Sequence, residues 1–138
     1  MATVNDLIKR CESLENQRVT VPTNPYGGQC AAYVDFLAQE FTDKNLSYTN
    51  AIDLLYRAAQ NGFPVEFFNG HNLPKDGDFF VSDCYNHNFG HTGVFLKGNN
   101  STVVTSEQNV DLNPDALTNG GWVREKERTI HSDGTFER

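Results

Sequence analysis

The sequence predicts an α+β domain, with helices first and a small antiparallel sheet after them. Apolar residues in the first half recur at steps of three and four, while in the second half they gather in short β-branched and aromatic runs separated by turn residues. Helical and strand patterns segregated in this way place the helices on one side of the sheet. Size sets the scale: 138 residues, 38% of them hydrophobic, suit one compact core and leave no room for a second.

The first helix is predicted from the stripe Val4, Leu7, Ile8, Cys11 and Leu14, which places Cys11 in the core, where a free thiol behaves as a small hydrophobe. The chain then becomes irregular through "RVTVPTNPYGGQ", because Pro22, Pro25, Gly27 and Gly28 forbid a continuing helix. A second helix starts near Gln29 or Cys30 and buries Cys30, Tyr33, Val34, Leu37 and Phe41. The third covers residues 50–61, with Asn50 as N-cap, Asp53 in the first turn, and Ile52, Leu55 and Ala59 inward.

Four strands follow in "DGDFFVSD", "HTGVFLKG", "STVVTSEQN" and "GWVREKERTI", punctuated by "PKDGD", "KGNNS" and "NPDALTNGG". The folded domain is expected over residues 1–130, with "HSDGTFER" (131–138) as a tail or the start of a linker. No internal repeat or low-complexity segment interrupts this plan.

Charge and cysteine content narrow the function. Eleven Lys and Arg against 18 Asp and Glu give a formal net charge of −7, so the chain lacks a basic footprint for nucleic acid. No apolar run is long enough to span a bilayer, and "MATVNDLIKRCESLENQ" is amphipathic and charged, unlike a secretory signal. A chain made as a soluble protein, with no membrane partner, is expected. Three cysteines, Cys11, Cys30 and Cys84, are an odd number without framework spacing, so at least one thiol is free.

Cys30 falls where a glycine-bearing turn meets the second helix. A thiol in the first turn sits in the positive end of the helix dipole, which favours the thiolate, and nearby N–H groups can stabilise an oxyanion. Read alone, Cys30 is equally a small core residue. A nucleophilic cysteine also needs an imidazole to take its proton and a third group to orient that imidazole. Of the four histidines, His71, His87 and His131 fall in loops or the tail, whereas His91 opens the apolar run "TGVFL" and is the candidate base. Alternation along "TVVTSEQN" places Thr105, Glu107 and Asn109 on one face and Val104, Ser106 and Gln108 on the other. Either Glu107 or Asn109 is positioned to accept the His91 N–H from an adjacent strand.

"YGGQC" opening a helix, "LPKDGD" before a strand, "FGHTGVFL" and "VVTSEQN", in that order, resemble a CHAP domain, the cysteine, histidine-dependent amidohydrolase/peptidase family of bacteriophage lysins and bacterial wall hydrolases. The resemblance runs from about residue 21 to residue 122. It implies a papain-like fold, with Cys30 as nucleophile, His91 as general base and Glu107 as its orienter. Asn109 matches the asparagine closing the family's "EQN", and Gln29 with Cys30 matches the oxyanion hole. The implied activity is hydrolysis of an amide bond in peptidoglycan, as N-acetylmuramoyl-L-alanine amidase or as endopeptidase. The implied partner is the bacterial wall. Because an acidic domain is repelled by anionic wall polymers, a separate wall-binding domain or subunit is expected. The implied location is that of a phage lysin, in the host cytoplasm until released to the wall; a domain cut from a longer protein or non-classical secretion fits as well.

No cofactor is expected. Some members of the family bind calcium through an Asp-x-Asp-Gly run before the nucleophile and an aspartate after it; the matching positions here are Val21, Thr23, Asn24 and Ala32, without a carboxylate. Asp35 and Asp83 are the alternative oxygen donors. A different class of reading takes "CYNHNFGH" as a C-x2-H-x3-H pattern: Cys84, His87 and His91, with His71 upstream, would hold zinc in a structural or interaction module. The second C-x2-C half of such a site is missing.

Overall fold

The computed structural model describes residues 3–24, 27–42, 44, 46, 50–84, 87–110 and 120–131, excepting the side chains of residues 83, 84 and 87–89. Pro25 and Tyr26, most of the turn "NPDALTNGG", and all of the expected tail after His131 lie outside the described residues.

Helix α1, Val4–Leu14, starts at a reciprocal cap: Thr3 Oγ1 accepts the Asp6 N–H at 3.2 Å and Asp6 Oδ2 accepts the Thr3 N–H at 2.9 Å. Leu7, Cys11 and Leu14 are buried and Ile8 packs partly against them. Val4 departs from the expected stripe and is 48% exposed, with its methyls beside the Gly77 turn.

Helix α2, Cys30–Phe41, is the centre of the molecule. Tyr33 and Leu37 join α1 and the sheet in one core cluster, while Ala31, Val34 and Ala38 pack against Leu46, Ala51 and Leu54 in a second. Layers on two sides explain why Ala31, Ala32 and Asp35 are buried as well, beyond the single face that periodicity predicts. Each large apolar side chain enclosed in this way contributes roughly 1.5–3 kcal/mol.

The segment expected as one helix over residues 50–61 instead begins as a 3-10 turn, Ala51–Asp53, and continues as α3, Leu54–Gln60. At three residues per turn, Ala51 and Leu54 fall on the same side and are buried, with Ala58 partly so. Leu55 is therefore only half-buried and Ala59 exposed, a shift of one residue from the expected phase. Asn50 precedes the turn, but its side chain makes no capping bond.

The four strands are β1 (Phe79–Cys84), β2 (His87–Lys97), β3 (Thr102–Gln108) and β4 (Val123–Thr129), antiparallel throughout and ordered β1-β2-β3-β4. Val94, Leu96 and Val123 on one face meet α1 and α2, as the α+β plan requires. Phe80, Phe95, Val103 and Ile130 form a separate buried cluster on the other face. Strand β2 begins four residues earlier than the sequence suggests, pairing Cys84 with His87, so His91 is an interior strand residue opposite Ser82 and does not open the strand. Among the described residues no helix is long and apolar enough to cross a membrane.

Candidate active site

The loop before α2 is tied down by one side chain from the end of β3. Gln108, fully buried, accepts the Val19 N–H at 2.6 Å and donates from Nε2 to the carbonyls of Val19 (3.1 Å) and Gln29 (2.8 Å). A buried primary amide has to spend its donors and its acceptor, and here they join strand to loop. The Gly28 N–H donates to Val19 O at 3.0 Å, and the Gly121 N–H donates to Gly28 O at 2.9 Å. Gln29 is the N-cap residue of α2 in backbone only; its Oε1 accepts from Asn109 Nδ2 at 2.8 Å. Cys30 is then the first residue of the helix, beside backbone N–H groups that have no partner within it.

Further back, Thr23 Oγ1 donates to Asp35 Oδ2 at 2.6 Å, and Asp35 Oδ1 accepts the Leu46 N–H at 2.8 Å. Val21 is buried and Ala32 is apolar, so the positions matching the family's calcium ligands do not fit that ion, and the carboxylate nearest to them is already bonded to protein. The side chain of Asp83 lies outside the described residues.

On the sheet side, His91 Nε2 lies 2.7 Å from Glu107 Oε1. Two glycines of "FGHTG" make room for the pair. A Cβ at Gly90, whose φ is +74°, would stand 2.7 Å from the Ile52 nitrogen, so the 3-10 turn packs directly against β2 beside His91. A Cβ at Gly93 would stand 2.8 Å from both Glu107 Cγ and the Phe80 ring, so the bare backbone lets Glu107 lie across β2. Phe80 meets the His91 ring edge-on at 6.1 Å between centroids.

With Nε2 turned to Glu107, Nδ1 is the ring nitrogen left for Cys30, whose thiol is near enough to influence the charge of the ring. Burial opposes charge on the ring, yet interaction with Cys30 and the hydrogen bond to Glu107 raise His91 to about 9. Burial likewise opposes charge on Glu107, whose side chain is fully enclosed, but His91 and Arg128 lower it to about 2. Arg128 donates from Nε to Oε2 at 2.6 Å and from Nη2 to Oε1 at 2.8 Å, and Thr105 Oγ1 also donates to Oε2. Neighbouring groups hold a carboxylate where burial alone would protonate it.

His91 and Glu107 are thus hydrogen-bonded to each other, with Cys30 interacting with the ring from the start of α2. Asn109 stands apart from them: β3 ends at Gln108, and Asn109, at φ 69°, turns its amide to Gln29 instead of reaching His91. Sequence reasoning passed over Gln108 and Arg128. The signal for Gln108 was present, since alternation puts this amide on the core face, where an unpartnered polar group is costly. For Arg128 there was none: Arg124, Lys126 and Arg128 share one face of β4, and only the register and side-chain reach select among them. His71 and His131 are exposed, as expected of loop residues.

The zinc pattern loses its spacing argument on a strand. His87 and His91 are four residues apart in β2, where they are not neighbours on one turn as they would be on a helix. Among the described residues no group of three or more His, Cys, Asp or Glu is gathered as a metal site; the side chains of Cys84 and His87 lie outside them.

Residues 20–109 match the family model described as the CHAP domain. The fold is similar to that of a wild type endolysin, LysIME-EF1, known from its crystal structure, with a TM-score of 0.69 and 23% identity over 97% of this chain and 62% of that one. The chain therefore spans less than two thirds of that endolysin. No curated protein matches the sequence.

Proposed function

Because the chain belongs to the CHAP domain family, we propose that it is a hydrolase of bacterial peptidoglycan that cleaves an amide bond through a cysteine nucleophile. The observation that carries this reading is the His91–Glu107 pair at 2.7 Å, together with a thiol on the first residue of α2 that interacts with the ring. The likeness to an endolysin, a wall-degrading protein by name, supports the substrate class.

In this mechanism His91 accepts the thiol proton at Nδ1 while Glu107 holds Nε2–H, and the Cys30 sulfur attacks the scissile carbonyl carbon. The carbonyl oxygen becomes an oxyanion, stabilised by the Cys30 backbone N–H and the Gln29 amide, whose acceptor end is occupied by Asn109. His91 returns its proton to the leaving nitrogen, releasing an amine and leaving a thioester on Cys30. Water, deprotonated by His91, then attacks the thioester carbon; a carboxylic acid departs and the thiol is restored. An imidazolium favoured up to about pH 9 suits the protonation step.

The bond is either the one between muramic acid and L-alanine or one within the stem peptide and cross-bridge. Purified walls digested by the protein and analysed by mass spectrometry decide between them, because each cleavage exposes a different new amine. The expected result is new amine ends that accumulate with wild type and not with Cys30→Ala; digestion by both proteins alike would refute the cysteine mechanism. A separate wall-binding domain or subunit supplies targeting, since a net charge of −7 opposes adsorption to an anionic wall.

A further inference from the structure

Glu107 accepts more hydrogen bonds than orienting one imidazole requires. His91 Nε2 and Arg128 Nη2 approach Oε1, and Arg128 Nε and Thr105 Oγ1 approach Oε2, so all four acceptor directions of the carboxylate are used. Thr105 and the ring alone would leave a buried anion without a positive partner whenever the ring is neutral, a condition in which such groups take up a proton. Arg128 supplies a permanent charge in a fork matching both oxygens, and its side chain is itself only 16% exposed. The fork also fixes the plane of the carboxylate, and hence the direction from which Oε1 meets Nε2.

We propose that Arg128 is a positioning residue of the hydrolytic site, holding Glu107 ionised and in the plane that keeps His91 directed at Cys30. This rests on the function proposed above and extends the His91–Glu107 pair to a residue outside the segment that matches the family. Among the described residues, other charged or titratable groups on that side include His91 on β2, Cys30 on α2 through the ring, and Arg124 and Lys126 on β4, which lie opposite Glu107 and Thr105 in register. Arg124 is engaged elsewhere, bonded to Asn16 and set over the Trp122 ring, and Asp53 on the 3-10 turn is exposed. The bidentate contact therefore falls to Arg128.

The test compares wild type with Arg128→Met, Arg128→Gln and the conservative Arg128→Lys, each first checked for folding by circular dichroism. Hydrolysis of purified walls is followed from pH 3 to 9, and the His91 ring nitrogens are followed by NMR from pH 2 to 9. In the neutral variants the Glu107 titration sensed by His91 should move up by about one to two units. Below pH 5 kcat should fall more steeply than in wild type, by about tenfold or more, with KM little changed. Arg128→Lys should restore most of the low-pH activity. A folded neutral variant with the wild-type titration and wild-type kcat would overturn the proposal, as would a loss of activity that tracks only the folded fraction. The NMR readout needs no turnover, so failure of wild type to cleave walls would refute the function while leaving the role of Arg128 decided.

Discussion

Two thiols, Cys11 and Cys30, are free, and their surroundings differ in one decisive respect. Cys11, on the inner face, is buried beside Tyr33 and Ser106, whose hydroxyls are 2.5 Å apart. Burial pushes that thiol up, and burial pushes the Tyr33 phenol up as well, so no partner there accepts a proton near neutrality. Cys30 has near it a largely enclosed imidazole backed by a carboxylate. Polar neighbours alone do not make a thiol a nucleophile; a base with somewhere to keep the proton does.

The largest effect should separate the two thiols outright. Cys30→Ala and His91→Ala should each lower wall hydrolysis by about 10³-fold or more with the circular dichroism spectrum unchanged, because a nucleophile and its base fail as a unit. Cys11→Ser should stay within about threefold of wild-type rate while melting lower, since a hydroxyl replaces a packed sulfur. The comparison breaks if turbidity assays rank the two cysteines the other way.

A smaller loss follows from weakening the backing group. Glu107→Gln can still accept from Nε2 but removes the charge, and should cost about 10²-fold in kcat, with the His91 titration falling from about 9 towards its ordinary 6.5. An unchanged His91 titration would show that Cys30 alone holds the ring charged.

Stability against pH sharpens the contrast further. Glu107, lowered in the fold to about 2 from an ordinary 4.5, contributes fully above 4.5 and loses that contribution as pH falls towards 2. His91, raised to about 9 from 6.5, contributes fully below 6.5 and loses it as pH rises through 9. The melting temperature should therefore be highest between about pH 4.5 and 6.5 and decline on both sides. In His91→Ala the alkaline decline should flatten; if it persists, another group sets it.

The smallest effect expected is that of chelation. The loop before Cys30 is held by Gln108, Asp35 and Thr23, so EDTA should leave rate and melting temperature unchanged. A shift of several degrees on adding micromolar calcium would mean that other oxygens bind the ion and that the loop depends on more than these hydrogen bonds.

The sequence by itself determined the segregation of helices and strands, the place of Cys30 at a helix start and the candidacy of His91 and Glu107. These follow from periodicity, turn chemistry and ordered motifs, which are local properties of the chain. It misjudged the phase of the segment after residue 50, because periodicity does not tell a 3-10 turn from an α-turn, and the turn packs against Gly90. The orientation of Asn109 towards Gln29, the burial of Gln108 against Val19 and the choice of Arg128 over Arg124 were decided by tertiary structure alone. Each depends on bringing residues some 20 to 90 positions apart within about 3 Å, and strand register is a collective outcome of a whole sheet that no single stretch of chain encodes.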